Sequence, residues 1–225
     1  MRRWPLITAT TLLGAMAGAV AGYICLLRPW HLRWGATDEE VGAPLPGDHY
    51  VPHADLTATR AITVKASPAE VWPWIAQLGQ EQGGFYTYDT LENLIGCNIH
   101  NADRVVPEWQ VCTPGDQVKL HPDVPLEVVL VEPEEALVLR GGVPLGESAP
   151  PYDFTWAFVL RGQPDGTTRL LVRERYGYTK RWAQLLVEPV EAISFLMSQK
   201  MLRGMKARAE GNTAAVSASV FDRAD

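Results

Sequence analysis

The sequence predicts an α+β domain behind an apolar N-terminal segment, and three observations carry that prediction. No charged residue occurs from Trp4 to Leu27. Between Gln117 and Tyr178 apolar residues recur with a period of two, and from Trp182 to about Ala209 the period is that of a helix. Strands in series with helices segregated at the two ends define the α+β class.

At 1.5 Å per residue, Trp4 to Leu27 is long enough to cross roughly 30 Å of hydrocarbon. Trp4 stands at one end, and Trp30 and Trp34 stand at the other with Arg28, His31 and Arg33. This is the aromatic belt with flanking cations of a spanning helix. Residues 1–27 are therefore expected to form a single-pass transmembrane anchor. A cleaved signal peptide ending at Ala19-Val20-Ala21 is the rival, opposed by the apolar run continuing through Tyr23, Ile24, Leu26 and Leu27. Gly14, Gly18 and Gly22 repeat every fourth residue and would let two such helices approach closely as a homodimer. Arg2 and Arg3 balance Arg28 and Arg33, so charge does not set the side of the membrane.

Residues 28–59 read as a juxtamembrane linker, punctuated by Pro29, Pro44, Pro46, Gly47 and Pro52. The globular domain is expected over 60–210, and the tail 211–225, rich in Ala, Ser and Val, is expected to be disordered. The domain opens with a half-buried strand in which Ile62, Val64 and Ala66 alternate with Thr63 and Lys65. A helix start follows: Ser67 caps, Pro68 suits the first helical position and Glu70 completes a capping box. Val71, Trp74, Ile75 and Leu78 make its core stripe, Pro73 bends it, and Gly79 with Gly83-Gly84 end it. A second short helix is expected over Tyr86 to Ile95. The polar run Asn98, His100, Asn101, Asp103 and Arg104 comes next, and this mixture of aromatic and ionisable groups reads as the mouth of a binding site.

Strands are expected at Gln117–His121, Leu126–Glu132 and Ala136–Arg140. A hairpin then joins Phe154–Leu160 to Thr168–Tyr178 through Gly162-Gln163-Pro164-Asp165-Gly166. On its second strand Leu170, Val172, Glu174, Tyr176 and Tyr178 share one face, and Leu171, Arg173 and Arg175 share the other. Apolar residues on both leave the inward face open. Past Pro189, Val190, Ile193, Met197, Met201 and Met205 fall on one face of the long helix.

A net charge of −6 and a pI near 5.4 exclude nucleic acid as a partner, which needs a basic face. Three cysteines make no disulfide framework, although Cys97 and Cys112 could pair in an oxidising compartment. No phosphate loop, nucleophile elbow or zinc spacing occurs, so neither cofactor nor metal is expected. His100 with Asp103 competes with a plain rim histidine, and Asp89 with Glu92 competes with a solvated helix face.

Two sets of residues carry a resemblance. Ala61-Ile62-Thr63-Val64 leads into Ser67-Pro68-Ala69-Glu70-Val71-Trp72, and Thr155-Trp156-Ala157-Phe158-Val159-Leu160 pairs with Thr168-Arg169-Leu170-Leu171-Val172. From Arg60 to Ala209 the chain resembles the START-like, or SRPBCC, superfamily. Asn101-Ala102-Asp103-Arg104 with Pro107-Glu108 and Gly115-Asp116 is similar to a bacterial membrane-anchored subset of it. The resemblance implies a helix-grip fold, a curved antiparallel sheet around a long C-terminal helix with a cavity between them. The superfamily spans lipid carriers, sterol and hormone binders, polyketide cyclases and oxygenase subunits, so fold alone does not choose among activities. Rieske spacing and a two-histidine, one-carboxylate set are both absent from the sequence.

The reading is therefore a membrane-anchored binding or carrier domain for a lipophilic small molecule or lipid. A cyclase or dehydratase using cavity carboxylates or tyrosines is the alternative, and a tethered interaction domain without ligand is the third reading. The cavity is expected where Thr155, Ala157 and Val159 leave room opposite Ile193, Met197 and Met201. Glu174 is expected to point in, and Tyr86, Tyr88, His100, Asp103 and Arg104 to form a polar rim.

Overall fold

The computed structural model describes residues 21–88, 98–110, 112–142 and 149–221, together with Gly18 and Asn93. Six antiparallel strands form one sheet: β1 Leu56–Val64, β2 Gln117–His121, β3 Val124–Glu132, β4 Ala136–Gly141, β5 Tyr152–Gly162 and β6 Thr168–Tyr178. Their order is β1-β6-β5-β4-β3-β2, so every neighbour but the β1–β6 pair follows in sequence. The helices are α1 Arg28–Leu32, α2 Asp38–Gly42, α3 Pro68–Ala76 and α4 Ala183–Phe221.

Helix α3 forms where its start signal lies. The Ser67 backbone N–H donates to Glu70 at 2.8 Å in a capping box, and Val71, Trp74 and Ile75 are fully buried. Burial of each such side chain contributes about 1.5–3 kcal/mol. Alternation sorts the sheet into two faces. Trp156, Phe158, Leu170 and Val172 join Trp74, Met201, Leu202 and Met205 in the core beneath α4. Val159 and Leu171 join Leu45, Ala61 and Ala136 on the opposite face. The two-residue period thus resolves the face left open in the sequence. Glu174 lies on the side of α4, and Arg169, Arg173 and Arg175 lie on the other.

That second face corrects the linker expectation for 28–59. The Arg173 guanidinium donates to Thr59 Oγ1, to the Glu40, Val41 and Ala43 carbonyls and to Asp48, at 2.8–3.0 Å. Arg169 holds Glu40, and Arg175 donates to the Val51 carbonyl. Helix α2 has its own capping box between Thr37 and Glu40. Where the chain crosses the edge strand, the Trp34 carbonyl accepts from the Ala61 N–H at 3.1 Å, and Gly35 has φ +72° with no room for a Cβ against the Ala61 carbonyl. The prolines that read as punctuation belong to a segment clamped by three arginines. Arg173→Leu is expected to cost about 1–3 kcal/mol, because it leaves buried carbonyls without donors. Limited proteolysis should then cut within 36–55 well before the domain body, and an unchanged cleavage pattern would refute the clamp.

Two boundaries also move. The first strand starts at Leu56 rather than Arg60, because pairing with β6 extends to Leu56↔Tyr176. Helix α4 continues through Phe221, in place of the disordered tail expected from Gly211. Tyr86–Tyr88 are not helical, whereas Asn93 is. The rest of the expected short helix lies outside the described residues, as do Asp89, Glu92 and Cys97. Cys112 is a free, half-buried thiol. Among the described residues no helix is long and apolar enough to cross a membrane. The expected span Trp4–Leu27, with Gly14 in it, lies largely outside them.

Candidate functional site

A cavity of about 250 Å³ lies between the sheet and α4. Phe154 and Trp156 from β5, Met197 and Met201 from α4, and Phe85, Ile99 and Leu120 make its apolar walls. A second cavity of about 290 Å³ shares Leu120, Phe154 and Tyr176 with the first and continues toward Leu186, Val187 and Val190 at the start of α4. Most of its polar groups gather where Glu174, Tyr176, Ser194 and Ser198 meet, and Thr87 lines it beside Phe85 and Ile99.

Behind that polar end is a buried ionic cluster. Glu174 Oε1 accepts from Arg60 Nη1 and from Ser198 Oγ, both at 2.9 Å. Its Oε2 accepts from Ser194 Oγ at 2.8 Å and from the Tyr176 hydroxyl at 3.2 Å. Arg60 Nη2 donates to Glu191 at 2.6 Å, and Arg60 Nε donates to the His31 carbonyl at 3.1 Å. The His31 ring closes the cluster, with Nδ1 3.0 Å from a Glu191 oxygen. Arg60, Glu174 and Glu191 are all within 3% of full burial. The Phe195 ring lies 5.6 Å from the Arg60 guanidinium and 5.6 Å from the His31 ring.

One guanidinium faces two carboxylates, so a further proton is needed for neutrality. Burial pushes Glu191 up to about 7, with the Glu174 charge adding to it and Arg60 opposing. Burial and then Arg60 push His31 below its ordinary value. Glu191 therefore keeps its proton to higher pH than an ordinary carboxyl, and His31 loses its own at lower pH than an ordinary imidazole. Burial first and Glu174 second hold the Tyr176 phenol far above its usual range, so it acts as a hydrogen-bond donor. Glu174 already accepts four hydrogen bonds, two on each oxygen, which fix its side chain in the cavity wall. Among the described residues no three His, Cys, Asp or Glu side chains converge on a metal position.

Of the expected cavity residues, Glu174, Met197 and Met201 line the cavity. The others do not. Thr155, Ala157 and Val159 are buried on the opposite face of the sheet, because Trp156 and Phe158 take the side of α4. Ile193 is 61% exposed. His100, Asp103 and Arg104 are exposed; Asp103 pairs with Arg208 at 2.9 Å, and the Arg104 carbonyl accepts from Gln77. Tyr88 is exposed beside the Lys200 ammonium. Tyr86 is buried as a strut: its hydroxyl donates to the Trp74 carbonyl, and its backbone, at φ 58°, packs where Gly204 has no Cβ. The polar rim expected from these residues is therefore replaced by the Glu174–Tyr176–Ser194–Ser198 end.

The sequence reading missed Arg60, Glu191 and His31. A signal existed for two of them. Arg60 shares its strand face with Leu56, Ala58 and Val64, and Glu191 falls on the helix face of Val187, Phe195 and Leu202. A charge at an inward position of an apolar stripe marks a buried ionic partner.

No protein-family model matches the chain, and no curated protein matches it. Solved structures do match its fold. A hypothetical protein from Helicobacter pylori is 14% identical, with a TM-score of 0.47 over 75% of this chain and 96% of that one. A point mutant of norcoclaurine synthase from Thalictrum flavum, in complex with a transition-state analogue, is 12% identical, with a TM-score of 0.44 over 70% of this chain and 96% of that one. A protein from Mycobacterium smegmatis is 15% identical, with a TM-score of 0.44 over 68% of this chain and 89% of that one. All three scores are below 0.5, and the assignment rests on the chain's own topology. Six antiparallel strands in the order β1-β6-β5-β4-β3-β2, with α3 after the first strand and α4 packed along the sheet, make this a helix-grip fold.

Proposed function

We propose that the domain binds a lipophilic small molecule or lipid between sheet and α4, tethered to a membrane by Trp4–Leu27. The observation that carries the reading is the cavity itself, walled by Phe154, Trp156, Met197 and Met201, with most of its polar groups at the Glu174 end. Binding sites of this kind are concave, mostly apolar and oriented by a few polar groups. The thioethers of Met197 and Met201 adapt to irregular ligand shapes. At the polar end the hydroxyl oxygens of Tyr176 and the two serines, whose protons go to Glu174, can accept from a ligand O–H, while Glu174 and Arg60 hold that end in place.

Two measurements test this. Native mass spectrometry of the detergent-extracted protein should show a co-purified apolar molecule. Met197→Trp should fill the cavity and abolish binding of N-phenylnaphthylamine, whereas Ala157→Trp should leave that binding intact. On its own face Ala157→Trp overpacks a closed core and should cost about 1–3 kcal/mol in urea unfolding. Unchanged probe binding in a folded Met197→Trp protein would remove the basis of the proposal.

A further inference from the structure

Helix α4 has two apolar faces, and only one of them has a partner. Val187, Phe195, Leu202 and Met205 lie in the core. On the other side Trp182, Leu185, Leu186, Val190, Ile193 and Leu196 are exposed, Leu185 by 81% and Ile193 by 61%. Their spacing of i, i+3, i+4, i+8, i+11 and i+14 puts them on one stripe roughly 20 Å long at 1.5 Å per residue. Exposed patches of this kind on a soluble surface mark an interaction site.

The molecule offers a specific occupant. The uncharged run that ends at Leu27 leads straight into α1, and α1 is fastened beside this stripe. Arg28 holds Glu188 of α4 through a two-nitrogen pair at 2.7–3.0 Å, and the Trp30 ring meets Phe195 edge-on at 5.3 Å. Leu26, Leu27 and Trp30 are themselves exposed and extend the apolar surface. Cations stand at both ends of the stripe. Lys180 and Arg181 precede it, Lys200 and Arg203 follow it, and all four are exposed. Of the two carboxylates between them, Glu188 is taken up by Arg28 and Glu191 is buried in the ionic cluster. An apolar strip with basic ends and a tryptophan at its start suits a helix lying in a lipid interface with anionic headgroups.

We infer that this face of α4 lies in the bilayer surface, and that the ligand cavity opens onto lipid rather than water. The inference rests on the membrane-tethered reading above. The second cavity supports the route: Leu186 and Val190 belong both to its lining and to the exposed stripe, and Leu120, Phe154 and Tyr176 line both cavities, so rotation of these side chains would connect the two. An apolar molecule could move from the acyl region to the polar end at Glu174 along apolar side chains throughout. The three-arginine clamp and the Arg28–Glu188 pair fix the domain's orientation, which a flexible linker would not.

The test uses the full-length protein in vesicles of phosphatidylcholine and phosphatidylglycerol. The photo-crosslinking residue p-benzoylphenylalanine replaces Leu185, Ile193 or Asp165, one at a time. Asp165 sits in the β5–β6 turn, at the far end of β6 from Tyr178 and the start of α4. Illumination should give phospholipid adducts by mass at Leu185 and Ile193 and none at Asp165. Retention on the vesicles after an alkaline wash is read separately. Protein retained without lipid adducts at Leu185 and Ile193 would overturn this inference and leave the anchor standing. Protein washed off would overturn the anchor and this inference with it. Adducts to a second copy of the chain would assign the stripe to a dimer and overturn the inference as well.

Discussion

Arg60→Ala is expected to destabilise the domain by about 3–5 kcal/mol, the range measured when one partner of a buried ion pair is removed. Arg60 is fully buried, and its guanidinium supplies a bond of 2.9 Å to Glu174 and one of 2.6 Å to Glu191. Without it two carboxylates face each other in an apolar core, and only the serines, Tyr176 and His31 remain to meet them. The charge decides the effect, since an arginine stem of similar length could be replaced by packing alone. The triple variant Arg60→Met, Glu174→Leu, Glu191→Leu should therefore recover most of the lost stability, because well-packed apolar side chains commonly match or exceed a buried ionic network. Urea unfolding of the wild type and both variants checks this. A loss below about 1 kcal/mol for Arg60→Ala would mean that solvent reaches the cluster, as it does an exposed pair.

The second large effect is a pH dependence centred on Glu191. The groups facing it are Arg60 from β1, Glu174 from β6, His31 and Arg28 from α1, and Glu188 from its own helix. Its folded value of about 7 lies above its ordinary 4.5. Between these limits the folded state holds the proton more tightly than the unfolded state does. Its contribution to stability is thus fully present below about pH 4.5, falls as pH rises, and is gone above about pH 7. His31 has the opposite sign. Its folded value is depressed below 6.5, so its contribution grows as pH rises toward 6.5. The two slopes partly cancel in the native protein, and Glu191→Gln should expose the histidine slope. Unfolding free energies across this range should show wild type minus variant falling steadily with pH. A difference that is flat or rising would show that Glu191 is ionised throughout.

The two outcomes also bear on function. A cluster that collapses without Arg60 holds Glu174, Ser194 and Ser198 at fixed positions in the cavity wall, and its first contact with α1 is through His31. Any ligand that touches Glu174 therefore touches a network that ends at α1, which follows the uncharged run Trp4–Leu27. Loss of the Glu191 proton above about pH 7 would leave two carboxylates against the single Arg60 charge beside Phe195, next to the apolar stripe inferred to meet lipid.

By itself the sequence determined the order of the strands, the capped helix α3, the five-residue turn between β5 and β6 and a long C-terminal helix, but not the split of that helix between a buried face with Met201 and Met205 and an exposed one with Val190 and Ile193. Each of these rests on interactions among residues close along the chain: a capping box spans three residues, a turn five, and periodicity one face of one element. Three arginines on β6 reaching back across more than a hundred residues turned the 28–59 segment from a proline-punctuated linker into a clamped strap. Alternation put Thr155, Ala157 and Val159 on one face of β5 and Trp156 and Phe158 on the other, and the burial of Trp156 and Phe158 beneath α4 displaced the small set from the cavity. His31, Arg60, Glu174 and Glu191 come from four elements, so no local spacing could assemble them. Only tertiary structure removes enough water for such charges to need each other, because the cost of burying one is offset by partners that the chain brings together when it folds.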